Sequence, residues 1–179
     1  MTENQEYVVL VDEQDKVTGK MEKMEAHEKG VLHRAFSVFL FNSHGEMLLQ
    51  QRAHSKYHSP GLWTNACCSH PRVEESLESA TTRRLSEEMG MQCTMKEIFH
   101  FIYKADVGQG LTEHELDHVF VGTTDAEPVL NPDEVADWKY MRMDDIKTSM
   151  LLEPEKFTVW FRIAFDEVYR FFNNNTLKK

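Results

Sequence analysis

The chain has 179 residues, of which 41% are hydrophobic and 11% aromatic, enough for one domain with a substantial core. Its 30 Asp and Glu against 20 Lys and Arg leave a formal net charge of -10 and a pI near 5.3. That balance excludes a broad nucleic-acid face, which needs clustered basic side chains, so any phosphate must meet a local basic pocket. No apolar run approaches the roughly 20 residues of a membrane span, and "MTENQEYVVL" lacks the basic start and apolar middle of a signal peptide; a soluble, cytoplasmic protein with no membrane partner is expected.

In chain order, "YVVLVDEQDKVTGKMEK" reads as a strand, a polar turn and a return strand ending near Lys23, and "MEAHEKGVLH" as a histidine-bearing connection broken at Gly30. "RAFSVFLFN" and "MLLQQR" are two strands joined by "SHGE", the first apolar enough to be buried on both faces. "AHSKYHSPGLWTNACCSHP" is loop-rich. From Glu74 to Gly90, the apolar positions Leu77, Ala80, Leu85 and Met89 predict an amphipathic helix with Gly90 as its stop. "CTMKEIFHFIYKAD" reads as one or two strands, and after the turn "VGQG" the stretch "LTEHELDHVFVG" alternates in strand period, placing Glu113, Glu115 and Asp117 on one face. "DWKYMRM" is a further strand. "PEKFTVWFRIAFDEVYRFF" is a closing helix on which Phe157, Trp160, Phe161, Ala164 and Val168 share a face, and the tail at 173–179 is expected to be disordered. No repeat or linker divides the chain, so residues 1–179 form one mixed α/β domain with helices packed on a sheet.

Two features ask for chemistry. Cys67 and Cys68 adjoin, two residues before His70, with Cys93 the only other cysteine. Adjacent cysteines do not fit the two-to-four-residue spacing of structural zinc ligands, and they pair only across a strained ring; reduced thiols are expected. Taken alone, both read as small core residues. The second feature is the carboxylate set: Glu113 and Glu115 alone read as a solvated face, but Glu87 and Glu88 form a second acidic group at a helix end.

The segment at 69–91, "SHPRVEESLESATTRRLSEEMGM", resembles the Nudix box, with Glu75, Arg83, Leu85, Glu87, Glu88 and Gly90 in register. It departs from that pattern at Ser69, in place of glycine, and at Arg84, in place of the first glutamate of the metal-binding run, which weakens a hydrolytic site. Together with "HRAFSVFLFN", the arginine of "QQRAHSK", "WTNACCSHP" and "EHELDHVF", the chain is similar over most of its length to type I isopentenyl diphosphate isomerases. The resemblance implies a Nudix fold, a mixed sheet sandwiched between helices with an added N-terminal hairpin and C-terminal helix. It also implies conversion of isopentenyl diphosphate to dimethylallyl diphosphate. A Nudix diphosphohydrolase is the rival reading, and a non-catalytic diphosphate or protein binder the third.

Carried onto matching positions, the resemblance implies a divalent metal, Mg2+, Mn2+ or Zn2+, held by His27, His33, His70, Glu113 and Glu115. It implies a second Mg2+ bound with the substrate diphosphate, held by Glu88 and the backbone carbonyl of Cys68. Lys23, Arg52, Lys56, Ser69 and Arg83 match its anion-binding positions. Cys68 and Glu115 are the expected proton carriers, Glu115 with Tyr103 delivering the proton and Cys68 accepting one as thiolate; Cys67 is a small neighbour. Trp160 is expected to face the tertiary carbocation, Trp63 to line the same cavity, and the loop near 54–60 to close over it. His44, His54, His58, His100, His114 and His118 are left as surface or hydrogen-bonded imidazoles. The expected partner is a small diphosphate, and the expected state a monomer or weak homodimer.

Overall fold

The computed structural model describes residues 6–176. Strands β1 (Tyr7–Val11) and β2 (Val17–Glu22) form the N-terminal hairpin, followed by α1 (Lys23–Lys29), β3 (His33–Phe41) and β4 (Met47–Arg52). Two short strands, β5 (Trp63–Thr64) and β6 (Cys67–Ser69), lead to α2 (Leu77–Met89). The long strands β7 (Met95–Gly108) and β8 (Leu111–Thr123) come next, then β9 (Val135–Met141), α3 (Met143–Leu152), a single 3-10 turn (Pro154–Lys156) and α4 (Val159–Thr176).

β3 organises the sheet. One edge runs parallel to β8 along its full length, from His33 opposite Glu115 to Phe41 opposite Thr123. The other edge is shared by β1 at His33, β6 at Phe36–Val38 and β4 at Phe41. Alternation then sorts its side chains into two layers. Phe39 and Phe41 pack toward Phe161, Phe165 and Val168 of α4, whereas Phe36, Val38 and Leu40 pack toward Ala80, Leu85 and Met89 of α2. Each fully buried Phe or Leu contributes about 1.5–3 kcal/mol of transfer free energy, so both faces are held without any covalent cross-link.

α2 begins at Leu77 rather than Glu74, because the Ser76 hydroxyl caps the helix by accepting the Ser79 amide at 3.1 Å, while Glu74 takes a left-handed φ of 66°. It stops at Gly90, also left-handed, where a Cβ would lie 2.6 Å from the Val129 carbonyl; glycine is required twice over. Several elements differ from the sequence expectation. The connection after the hairpin is the helix α1, capped by the Glu22 carboxylate and ended by left-handed Gly30. The loop-rich stretch holds β5 and β6, and α3 was not anticipated. The closing segment is broken: Phe157 sits between the 3-10 turn and α4, bridged to Trp63, although it packs in the same cluster as Trp160, Phe161, Ala164 and Val168. α4 continues through Asn173–Asn175 of the stretch expected to be disordered, and residues 177–179 lie outside the described residues.

Candidate active site

The cavity opens where β6, β8 and the loop after β4 meet the start of α4. Cys68, Ser69, His70, Glu113, Glu115, Asp117 and Trp160 line it, with Lys23, Arg52, Lys56 and Glu88. β6 pairs with β3, setting Cys68 opposite Ser37 and Cys67 opposite Val38, so the two thiols point to opposite layers. Cys67 is buried in the α2 cluster. Cys68 faces the cavity, where its thiol donates to Asn65 Oδ1 at 3.0 Å and accepts the Trp160 indole N–H at 2.8 Å. Asn65 fixes the turn by donating to the carbonyls of Val38 and Cys67. Burial, together with the Asp117 carboxylate, pushes the Cys68 thiol far above its ordinary range, so it holds its proton at rest.

Around Glu115, three imidazoles converge. His70 Nε2 lies 2.9 Å, His33 Nε2 3.4 Å and His27 Nε2 4.0 Å from Glu115 Oε1, and one ligand atom of each residue lies within 4.8 Å of the others. The tautomers are set from behind: Nδ1 of His27 sits 2.6 Å from the Lys23 carbonyl and Nδ1 of His33 2.8 Å from the Val31 carbonyl, which turns both Nε2 lone pairs inward. Buried His27 Nε2 has no hydrogen-bond partner among the described residues. A buried nitrogen without a proton acceptor or donor, facing two more nitrogens and a carboxylate, fits a divalent cation. Burial works to raise Glu115, but the His70 hydrogen bond and the facing imidazoles outweigh it and hold the carboxylate well below its ordinary range. Burial also lowers His70 to about 4, so its imidazole is neutral.

Glu113 stands apart from that convergence. Its Oε1 lies 3.2 Å from His58 Nε2 and its Oε2 accepts from the Tyr103 hydroxyl at 2.8 Å; Tyr103 lies equally close to Glu115 Oε2. Burial and the neighbouring Glu115 push Glu113 upward. His58, left as an ordinary imidazole by the sequence, is thus part of the site. It is 4% exposed, joins His27 and Glu113 in a second group of possible ligands, and meets the Trp160 ring edge-on at 5.9 Å. Burial and the nearby Arg52 lower it to about 3, leaving it neutral. Arg52 places it, donating to the His58 and Ser59 carbonyls at 3.1 and 3.2 Å and covering the Trp160 ring at 5.3 Å. No spacing in "SKYHSP" marks this histidine, because its position depends on how Arg52 folds the loop back.

The expected anion-binding residues divide. Lys23, Arg52, Lys56 and Ser69 line the cavity, but Arg83 does not. Its guanidinium is clamped by both oxygens of Glu75, at 2.7 and 2.8 Å. Of the two adjacent arginines on α2, Arg84 is the one that lines the cavity, and it reaches Glu88 at 2.5 Å, Glu87 at 2.8 Å and Glu134 at 3.2 Å. One residue along a helix turns the side chain by about 100°, enough to exchange a surface clamp for the cavity wall. Glu88, expected at a second magnesium, has one oxygen on Arg84 and the other accepting from Gln50 at 2.9 Å. Trp63 packs against the α4-side core under the Lys139 ammonium and is not among the lining residues.

The NUDIX domain family profile matches residues 31–161. An isopentenyl-diphosphate Delta-isomerase from Pectobacterium atrosepticum is 53% identical over 161 residues, 90% of each chain. The chain belongs to the isopentenyl-diphosphate Delta-isomerase family. A second member, isopentenyl-diphosphate Delta-isomerase 2 of Aromatoleum aromaticum, is 49% identical and covers 92% of this chain and 87% of its own. Among solved structures, DR0079 from Deinococcus radiodurans superposes with a TM-score of 0.68 at 19% identity, covering 82% of this chain and 90% of its own. A MutT protein from Methanosarcina mazei gives 0.65 at 18% identity, covering 81% and 95%. At such identities these two bear on the fold alone, and the fold is that of the Nudix domain, a mixed sheet between helices. Among the described residues, no helix is long and apolar enough to cross a membrane.

Proposed function

We propose that this member of the isopentenyl-diphosphate Delta-isomerase family isomerises isopentenyl diphosphate to dimethylallyl diphosphate in the cavity between Cys68 and Glu115. The observation that carries this reading is the pair of proton carriers lining one cavity, Cys68 under the Trp160 indole and Glu115 under three histidines. Moving an unactivated double bond adds a proton at one carbon and removes one from another, passing through a tertiary cation. One carrier must therefore begin loaded and the other empty. Cys68, and Glu115 with Tyr103 at its second oxygen, are the two carriers.

Trp160 supplies an aromatic face to the cation without a nucleophile to capture it, and its N–H aims the Cys68 sulfur. His58 closes the same wall; Glu113 and the Ser59 hydroxyl lie beside its two ring nitrogens. His27, His33, His70 and Glu115 would hold a divalent ion, which would supply a fixed positive charge favouring the ionised carboxylates. Lys23, Arg52, Lys56, Ser69 and Arg84 form the basic pocket for the diphosphate in an otherwise acidic chain. Arg84 also speaks against the hydrolase reading, since it neutralises the Glu87 and Glu88 carboxylates that a hydrolytic metal cluster needs.

The test is incubation with isopentenyl diphosphate and magnesium in deuterated water, followed by proton spectra and a phosphate assay. Dimethylallyl diphosphate carrying deuterium in a methyl group, with no phosphate released, is the expected result. Phosphate without isomerisation would make the protein a hydrolase and return Cys68 to packing.

A further inference from the structure

On the opposite face of β8 from Glu113, Glu115 and Asp117, a separate group of possible metal ligands comes together outside the cavity: Glu97, His100 and His118, each offering one ligand atom within 4.8 Å of the others. His100 and His118 stand directly opposite one another across β7 and β8, their rings 5.3 Å apart. Glu97 lies three residues from His100, a separation that in a regular strand sends the two to opposite faces. The bulge between Glu97 and Phe99 cancels that alternation. Glu97 pairs with Phe120 and His100 with His118, so all three ligands share a face because Ile98 is extra in the ladder.

A support stands behind them. His118 Nδ1 is 2.7 Å from Glu97 Oε1 and its Nε2 is 3.1 Å from Asp15 Oδ2. The side chain is only 6% exposed, and its Nε2 makes no hydrogen bond among the described residues. Asp15 is fixed in the β1–β2 turn by Arg34, which donates to its Oδ1 and to its carbonyl, both at 2.8 Å. A cation held at Nδ1 would leave Nε2 facing the Asp15 carboxylate 3.1 Å away, the carboxylate–histidine–metal arrangement of second-shell support.

We infer that Glu97, His100 and His118 form a second metal site, built for a divalent transition ion of the zinc class. Two imidazole nitrogens and one carboxylate oxygen suit zinc rather than magnesium, and three protein ligands leave positions for water. The site is open to solvent through His100, 58% exposed, and Glu97, 38% exposed. An ion there ties the β1–β2 turn, through Asp15 and His118, to the β7–β8 ladder.

The test is equilibrium dialysis of the purified protein against zinc buffered at about 10 μM free ion, with metal counted per chain by mass spectrometry. His100→Ala and Glu97→Gln alter exposed side chains outside the isomerase cavity, and each is expected to hold one zinc fewer than the parent with turnover unchanged. The comparison is independent of the cavity, since that site counts equally in all three proteins. Equal zinc content in the parent and both variants overturns the inference, whether the shared count is one or two.

Discussion

At Cys67 and Cys68, strand alternation divides the work of two identical side chains. One thiol fills the layer under α2, and the other reaches Trp160 and Asn65 in the cavity. Cys68→Ala is therefore expected to abolish isomerisation, whereas Cys67→Ala keeps most of the turnover and loses about 1 kcal/mol of stability, the ordinary scale of a small core truncation. Comparable loss of activity in both folded variants would undo the assignment. His58 gives a second prediction. It holds Glu113 at 3.2 Å, and outer-shell partners of metal ligands typically change affinity by about 10–100-fold when removed. His58→Phe keeps the ring against Trp160 and loses the Nε2 approach to Glu113; chelator competition should show metal affinity down by about tenfold, with His58→Gln, which retains an N–H, restoring part of it. Metal held as tightly by the Phe variant as by the parent would remove His58 from the site. These residues also mark the limit of the sequence. Glu113 and Glu115 are legible as a face because a strand has period two, but nothing before folding tells His58 from His54, since Arg52 makes that choice through backbone carbonyls six and seven residues away.

At the scale of the element, α2 turns two adjacent arginines to different tasks. Arg83 is spent on Glu75 at the surface, and Arg84 stands among Glu87, Glu88 and Glu134 beside the cavity. Arg84→Lys keeps the charge but loses the planar fork, so KM for the diphosphate is expected to rise about tenfold or more, while Arg83→Gln leaves it within about twofold. Steady-state kinetics of the two variants, with thermal melts to exclude unfolding, decide between them; an equal rise in both would return Arg83 to the site. The register of the Nudix-like segment was readable, yet it pointed to Arg83, because a linear pattern does not carry the rotation of a helix. Elements were legible in proportion to their length. The periodicity of Leu77, Ala80, Leu85 and Met89 gives α2, and the apolar run of β3 gives its burial on both faces. α1, with 7 residues, is too short to show a period, and its Glu22 cap and Gly30 stop are each common in loops. α4 starts late because Phe157 is extended, bridging to Trp63, a long-range contact that no local pattern announces.

Across the whole molecule, the histidine cluster draws on four separate parts of the chain: His27 comes from α1, His33 from β3, His70 from beyond β6 and Glu115 from β8. An ion bound there binds the folded state alone, since in the unfolded chain these ligands are scattered over almost 90 positions. The stabilisation follows from mass action. At a free metal concentration about 100-fold above Kd it amounts to about 2.7 kcal/mol, and for a domain of this size each kcal/mol moves Tm by about 2–4 °C. In a His100→Ala background, which lacks the second site proposed above, removing metal with a chelator is therefore expected to lower Tm by about 5–10 °C, and the variants that follow are compared in that same background. The control is His70→Ala, which deletes one ligand from the convergence. Its melt should match that of the chelated parent to within a few degrees and should not respond to added metal. Without an ion, the Nε2 of His27 remains buried with no partner, a cost of about 1–3 kcal/mol carried by the metal-free protein. His27→Phe, which removes that nitrogen and keeps a ring, should therefore melt higher than the chelated parent while losing the response to metal. A parent Tm that chelation leaves unmoved, with metal shown to be absent by direct assay, would mean that these four side chains are packed against one another and hold no ion.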